Sequence, residues 1–185
     1  MDQAIDLYYG SLTPTDPKSK DKHEKSLNKC QAAIGKAGAT FLAAQSKALQ
    51  KCWDAKSKGK VNDCPDLKVA DVVSNAALKL ATTINTACGG KDKQPGGDGE
   101  NADFTPTEIY SGFPANCLDV NFPGLVTPCA GAITDLSSLN TCVACVTRFK
   151  AGCADRAGAV GLGTFRPSAI LDETTTQQRP REVSA

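Results

Sequence analysis

Nine cysteines constrain this 185-residue chain more than any other feature, because of where they fall in its hydrophobic pattern. From Cys30, the apolar positions Ile34, Ala37, Phe41, Ala44 and Ala48 lead to Cys52 at spacings of 4, 3, 4, 3, 4 and 4. That is the stripe of one long amphipathic helix. A second stripe runs through Val69, Val73, Ala77, Leu80 and Ile84 to Cys88, where Gly89 and Gly90 stop it. Between the two, residues 54–63 are polar and contain Gly59, and Cys64-Pro65-Asp66 sets a proline beside an acidic residue where a helix can start.

The two stripes are matched in length, about 33 Å from Cys30 to Cys52 and about 36 Å from Cys64 to Cys88 at 1.5 Å per residue. Cys30 and Cys52 lie about 40° apart around their helix and so face one way. Cys64 and Cys88 differ by about 120° on the same count, but Cys64 precedes Pro65 and is not bound to helical phase. Folding the second helix back on the first brings the four thiols together as two rungs, Cys30 with Cys88 and Cys52 with Cys64. A direct bond from Cys30 to Cys52 would have to span most of an intact helix. In a chain-entropy description each rung contributes about 3 to 4 kcal/mol.

The expected fold class is therefore mainly α: a disulfide-stapled antiparallel helical hairpin followed by a second small Cys-rich helical unit, with flexible terminal arms. The expected boundaries are an N-terminal arm at 1–25, the clamped hairpin at 26–88, a Gly/Pro/Asp-rich linker at 89–107, the Cys-rich unit at 108–160 and a C-terminal arm at 161–185.

In the second unit, Pro114, Pro123 and Pro128 break the first half into turns. After a cap at Thr134 or Asp135, the residues Leu136, Leu139, Cys142, Val143, Val146, Phe149 and Cys153 share one face of a helix running to about Ala159. Repeating the nested logic gives Cys117 with Cys153, and Cys129 with Cys142 or Cys145. Because nine is odd, at least one cysteine lacks an intramolecular partner unless metal is bound, and Cys145 is the first candidate for a free or intermolecular thiol.

The cross-links answer a weak core. Only 5% of residues are aromatic and alanine dominates the apolar set, so each buried position removes little area from water. Disulfides persist in oxidising compartments, which points to a secreted or cell-surface protein. The opening MDQAIDLYYG lacks a positive start, an apolar run and a small-residue cleavage site, so an export signal is expected to have been removed. A net charge of +1 argues against nucleic acid as a partner by bulk charge, and the lack of a long apolar run argues against a membrane span.

The groups that carry chemistry do not converge. Cys142 and Cys145 form a C-x-x-C, the spacing of a redox couple, but it falls inside a helical pattern with no strand before it. With Cys153 and Cys129 or Cys117 the pair would also supply four zinc ligands, yet there is no second C-x-x-C and no nearby histidine. The sole histidine, His23, sits in a basic-rich run over 18–29 that reads as the solvated first turns of a helix. Trp53 beside Cys52 reads as a packing cap. Asp92, Asp98, Glu100, Asn101 and Asp103 do not fit the spacing of a calcium loop, and residues 158–163 (GAVGLG) lack the dinucleotide-binding spacing. No catalytic, cofactor-binding or metal-ligating residue is assigned.

The segments CQAAIGKAGATFLAAQSKALQKCWDAKSKGK, CPD with a helix ending TACGG, ADFTPTEI and LNTCVACVTRFKAGCADRAG resemble a group of uncharacterised Cys-rich secreted bacterial proteins. The likeness covers roughly residues 26 to 160. It implies export and a modular helical layout, and brings no catalytic residue, cofactor or substrate. The expected function is a non-enzymatic extracellular structural protein that assembles with copies of itself through its terminal arms, as a filament or surface subunit. The alternative is a small secreted binding module, an inhibitor or a carrier of a ligand or metal.

Overall fold

A computed structural model of the chain describes residues 18–97, 99, 102–109, 116–117 and 129–159, with side chains to residue 155. Of the arms expected at 1–25 and 161–185, residues 1–17 and 161–185 lie outside the described residues, whereas residues 22–25 of the first belong to a helix.

Helix α1 spans Lys22–Ser57. It starts where Asp21 can cap it: the Asp21 carboxylate accepts from the backbone N–H of His23 at 2.8 Å and of Glu24 at 3.0 Å. The helix thus begins four residues before the hairpin boundary expected at 26. Helix α2, Leu67–Cys88, opens on Asp66, whose side chain accepts from the Val69 N–H at 3.0 Å. It closes at Gly89, where the chain turns so tightly that an added Cβ would stand 2.7 Å from the Asn85 carbonyl and 2.9 Å from that of Gln94. Only glycine fits there without moving backbone.

The bond from Cys30 to Cys88 joins the start of α1 to the end of α2 with the Cα atoms 4.9 Å apart. Cys52 and Cys64, 5.8 Å apart at Cα, join the far end of α1 to the loop before α2. With a rung at each end the two helices run antiparallel. Between the rungs Ile34, Phe41 and Leu49 of α1 are buried with Val73, Leu80 and Ile84 of α2.

A third long helix packs against the hairpin. After the one-turn helix α3, Pro106–Ile109, helix α4 spans Leu136–Ala159 and packs on both hairpin helices. Asp135 caps it, accepting from the Ser138 N–H at 2.7 Å. Asn140 near its start donates to Asn85 at the end of α2 (2.7 Å), and Asp155 near its end accepts from Trp53 at the end of α1 (2.8 Å). Helix α4 therefore runs parallel to α1 and antiparallel to α2, an up-down-up arrangement.

The segment expected as a linker, 89–107, does not hold two units apart. The Phe104 N–H returns to the Cys88 carbonyl, Gln31 donates to the Ile109 carbonyl, and Ile109 is fully buried. Thr105 and Glu108 fix this return through a reciprocal capping box, Thr105 N–H to the Glu108 carboxylate at 2.8 Å and Glu108 N–H to the Thr105 hydroxyl at 3.3 Å. Buried side chains from 27 through 146 form one continuous core.

Two expectations for the Cys-rich region are corrected. Cys117 is bonded to Cys142, not to Cys153, and Cys129 is bonded to Cys145, leaving Cys153 rather than Cys145 as the free thiol. An isolated antiparallel bridge between Asn116 and Ala132, with the Cys117 N–H donating to the Gly131 carbonyl at 2.7 Å, brings Cys117 against the stretch that follows Cys129. Cys117 and Cys129 meet α4 where two cysteines three residues apart, about 60° around the axis, present neighbouring sulfurs. Cys153 lies about 16 Å further along the helix from Cys142 and is out of reach.

Candidate functional site

Where the hairpin turns, the space between its helices is not filled. A cavity of about 490 Å³ lies there, walled by α1, α2 and the loop that the Cys52–Cys64 bond ties down. Its closed end is formed by Gln45 and Leu49 of α1 and by Val69 and Val73 of α2, all buried. Its mouth carries the exposed Asn62, Asp63 and Leu67. Ala70 on the α2 wall is too small to fill the gap.

Gln45 is the unusual member. It is 1% exposed, and its Oε1 has no hydrogen-bond partner among the described residues. A buried acceptor left unpaired costs about 1 to 3 kcal/mol. The expected stripe of α1 placed Ala44 on the buried face, whereas Ala44 is half-buried and Gln45 and Leu49 face inward. The signal was present in the spacing: Gln45 lies four residues from both Phe41 and Leu49, so it occupies a core register position despite its polar side chain.

The other groups singled out from the sequence stand apart from this cavity. The sulfurs of Cys142 and Cys145 enter different disulfides, so they form no redox couple with each other. Among the described residues no cluster of His, Cys, Asp or Glu has the arrangement to hold a metal ion. His23 packs edge-on against Phe104 at 5.4 Å between ring centroids. Trp53 is partly buried, with the Lys56 ammonium 5.2 Å from the ring centre and the indole N–H donating to Asp155. Burial raises the Asp155 carboxyl above the usual carboxylate range, and the Trp53 hydrogen bond opposes this only in part. Lys150, further back on α4, is lowered by desolvation. A broader groove of about 760 Å³ between α2 and α4 runs past both disulfides of the Cys-rich region and takes in Arg148.

These features define a class of protein, a disulfide-cross-linked up-down-up helical body with a small cavity at its hairpin turn. No family model, curated protein or solved structure matches the chain. Among the described residues no helix is long and apolar enough to cross a membrane.

Proposed function

We propose that this protein is an exported, non-enzymatic binding module that takes a small molecule into the cavity at the hairpin turn. The observation that carries this reading is the cavity itself. Its volume of about 490 Å³ falls in the range of small-molecule sites, and its closed end is mainly aliphatic. A disulfide holds the loop over it, so little ordering accompanies binding. Export is supported by four disulfides among the described residues, a number suited to an oxidising compartment. A non-catalytic role is supported by His23 standing at the opposite end of α1 from Trp53 and Asp155, with His23 packed on Phe104 and Asp155 accepting the Trp53 hydrogen bond. The test is a fluorescence titration with the neutral apolar dye N-phenylnaphthylamine. The wild-type protein is expected to enhance the emission saturably, and Ala70→Phe, which fills the cavity from the α2 wall, is expected to abolish the effect. An equal response from both proteins rejects the reading.

A second reading, a self-assembling extracellular subunit, is favoured by two exposed leucines of α2. Leu67 and Leu78 are 82% and 65% exposed and lie about 20° apart around the helix. Of the terminal arms expected to dock on neighbouring copies, residues 1–17 and 161–185 lie outside the described residues. Light scattering over a concentration series separates the two readings: a mass that rises with concentration and is held at the monomer value by Leu78→Glu favours assembly.

A further inference from the structure

The wall chemistry of the hairpin-turn cavity narrows what it takes, an inference that rests on the binding-module reading above. We infer that the ligand is a neutral alcohol, an elongated apolar molecule whose hydroxyl meets the Gln45 carboxamide once that side chain turns its buried Oε1 toward the cavity. Three observations combine. Gln45 is 1% exposed with its Oε1 unpartnered among the described residues, and it stands in the cavity wall beside Leu49 and Val73. A hydroxyl both donates and accepts, so it pairs with the carboxamide whichever way the amide is turned.

The second observation is charge. Asp63 and Asp66 are both in the wall, and no Lys, Arg or His is. A carboxylate or phosphate ligand would enter past like charge and find no cation. An ammonium at the closed end would be desolvated among aliphatic side chains, because Asp66 lies at the loop end and is engaged with the Val69 N–H. The third is shape. From Leu67 at the mouth to Val73 at the closed end the α2 wall runs about 9 Å, the reach of a medium-chain alkyl group.

The experiment displaces bound N-phenylnaphthylamine from the full, disulfide-intact chain with three ligands of matched size: octanol, its isostere heptyl methyl ether, and octanoate. The ether is the more apolar of the first two, so hydrophobicity alone favours it over octanol. With the hydroxyl on Gln45, octanol displaces the dye at about tenfold lower concentration than the ether, the weight of one buried hydrogen bond. Octanoate is the weakest of the three. Gln45→Met keeps the side-chain size, removes the amide and is expected to erase the gap between octanol and ether. Equal displacement by octanol and ether in the wild type, or octanoate as the strongest competitor, overturns the assignment and leaves the binding-module reading standing. A dye that does not bind the wild type at all removes that reading and this inference together. If Gln45→Met does not fold, the three-ligand series on the wild type decides alone.

Discussion

The hairpin and the Cys-rich region each use two disulfides, but in opposite ways. In the hairpin the bonds stand at the two ends of a helix pair: Cys30, Cys52 and Cys88 are held on helices whose phase orients them, and Cys64 sits in the short loop directly before α2. In the Cys-rich region both bonds enter one turn of α4, at Cys142 and Cys145, from two irregular stretches that an antiparallel bridge between Asn116 and Ala132 joins among the described residues. A disulfide pairing is readable from periodicity where regular structure holds the thiols. Where one thiol of each pair comes from irregular chain, the pairing depends on a local turn that periodicity does not describe.

The comparison can be broken by removing one bond from each region. Replacing Cys30 and Cys88 with alanine opens a separation of 58 residues and is expected to cost about 4 kcal/mol, against about 3 kcal/mol for Cys129 and Cys145 with a separation of 16. Denaturant unfolding of the two double variants gives both numbers, and an equal or larger loss in the second region would mean that loop length is not what sets the stabilisation. A finer test concerns where each region starts its helix. Asp135→Ala removes the cap of α4 and is expected to cost about 1 kcal/mol by the same measurement, as is Asp66→Ala for α2.

Acid titration sharpens the contrast at the α1–α4 contact. Burial raises the Asp155 carboxyl, so its contribution to stability is full below its unfolded pKa and is lost as pH rises through the folded value. Asp135 and Glu108 are lowered by hydrogen bonds from Ser138 and Thr105, so their contributions are present above their unfolded pKa values and are lost as pH falls through the folded ones. Trp53 is the sole tryptophan and donates to Asp155. Its emission is expected to shift as the pH rises out of the acid range, and Asp155→Asn is expected to flatten that shift. The smallest effect is expected at Cys153, the free half-buried thiol. Cys153→Ser should change the denaturant midpoint by no more than about 0.5 kcal/mol equivalent, since no bond is lost.

Much of the helical framework was legible because α1, α2 and α4 each bury a stripe at helical spacing, and Ile34, Ile84 and Leu139 sit where that spacing puts them. What was not legible has physical causes. The return of residues 102–109 over the Cys30–Cys88 end depends on one capping box and on Ile109, too short a stretch to show a period. The Cys-rich pairing depends on Asn116 meeting Ala132, a contact between irregular segments. The cavity was hidden for a different reason: a stripe records which positions face inward, not whether their side chains fill the space. Gln45 stood at a core position in the spacing, but its polarity removed it from a reading based on apolar residues alone.

The Cys30–Cys88 bond also decides how the chain would carry a load. If the protein were pulled from its two ends, the force would pass across that sulfur bridge and not along the two helices it joins. The intervening separation of 58 residues drops out of the path, and with it about 200 Å of extension at about 3.5 Å per residue. The hairpin and its cavity would then sit on a closed covalent loop beside the line of tension, sheltered while the segments outside the loop stretch.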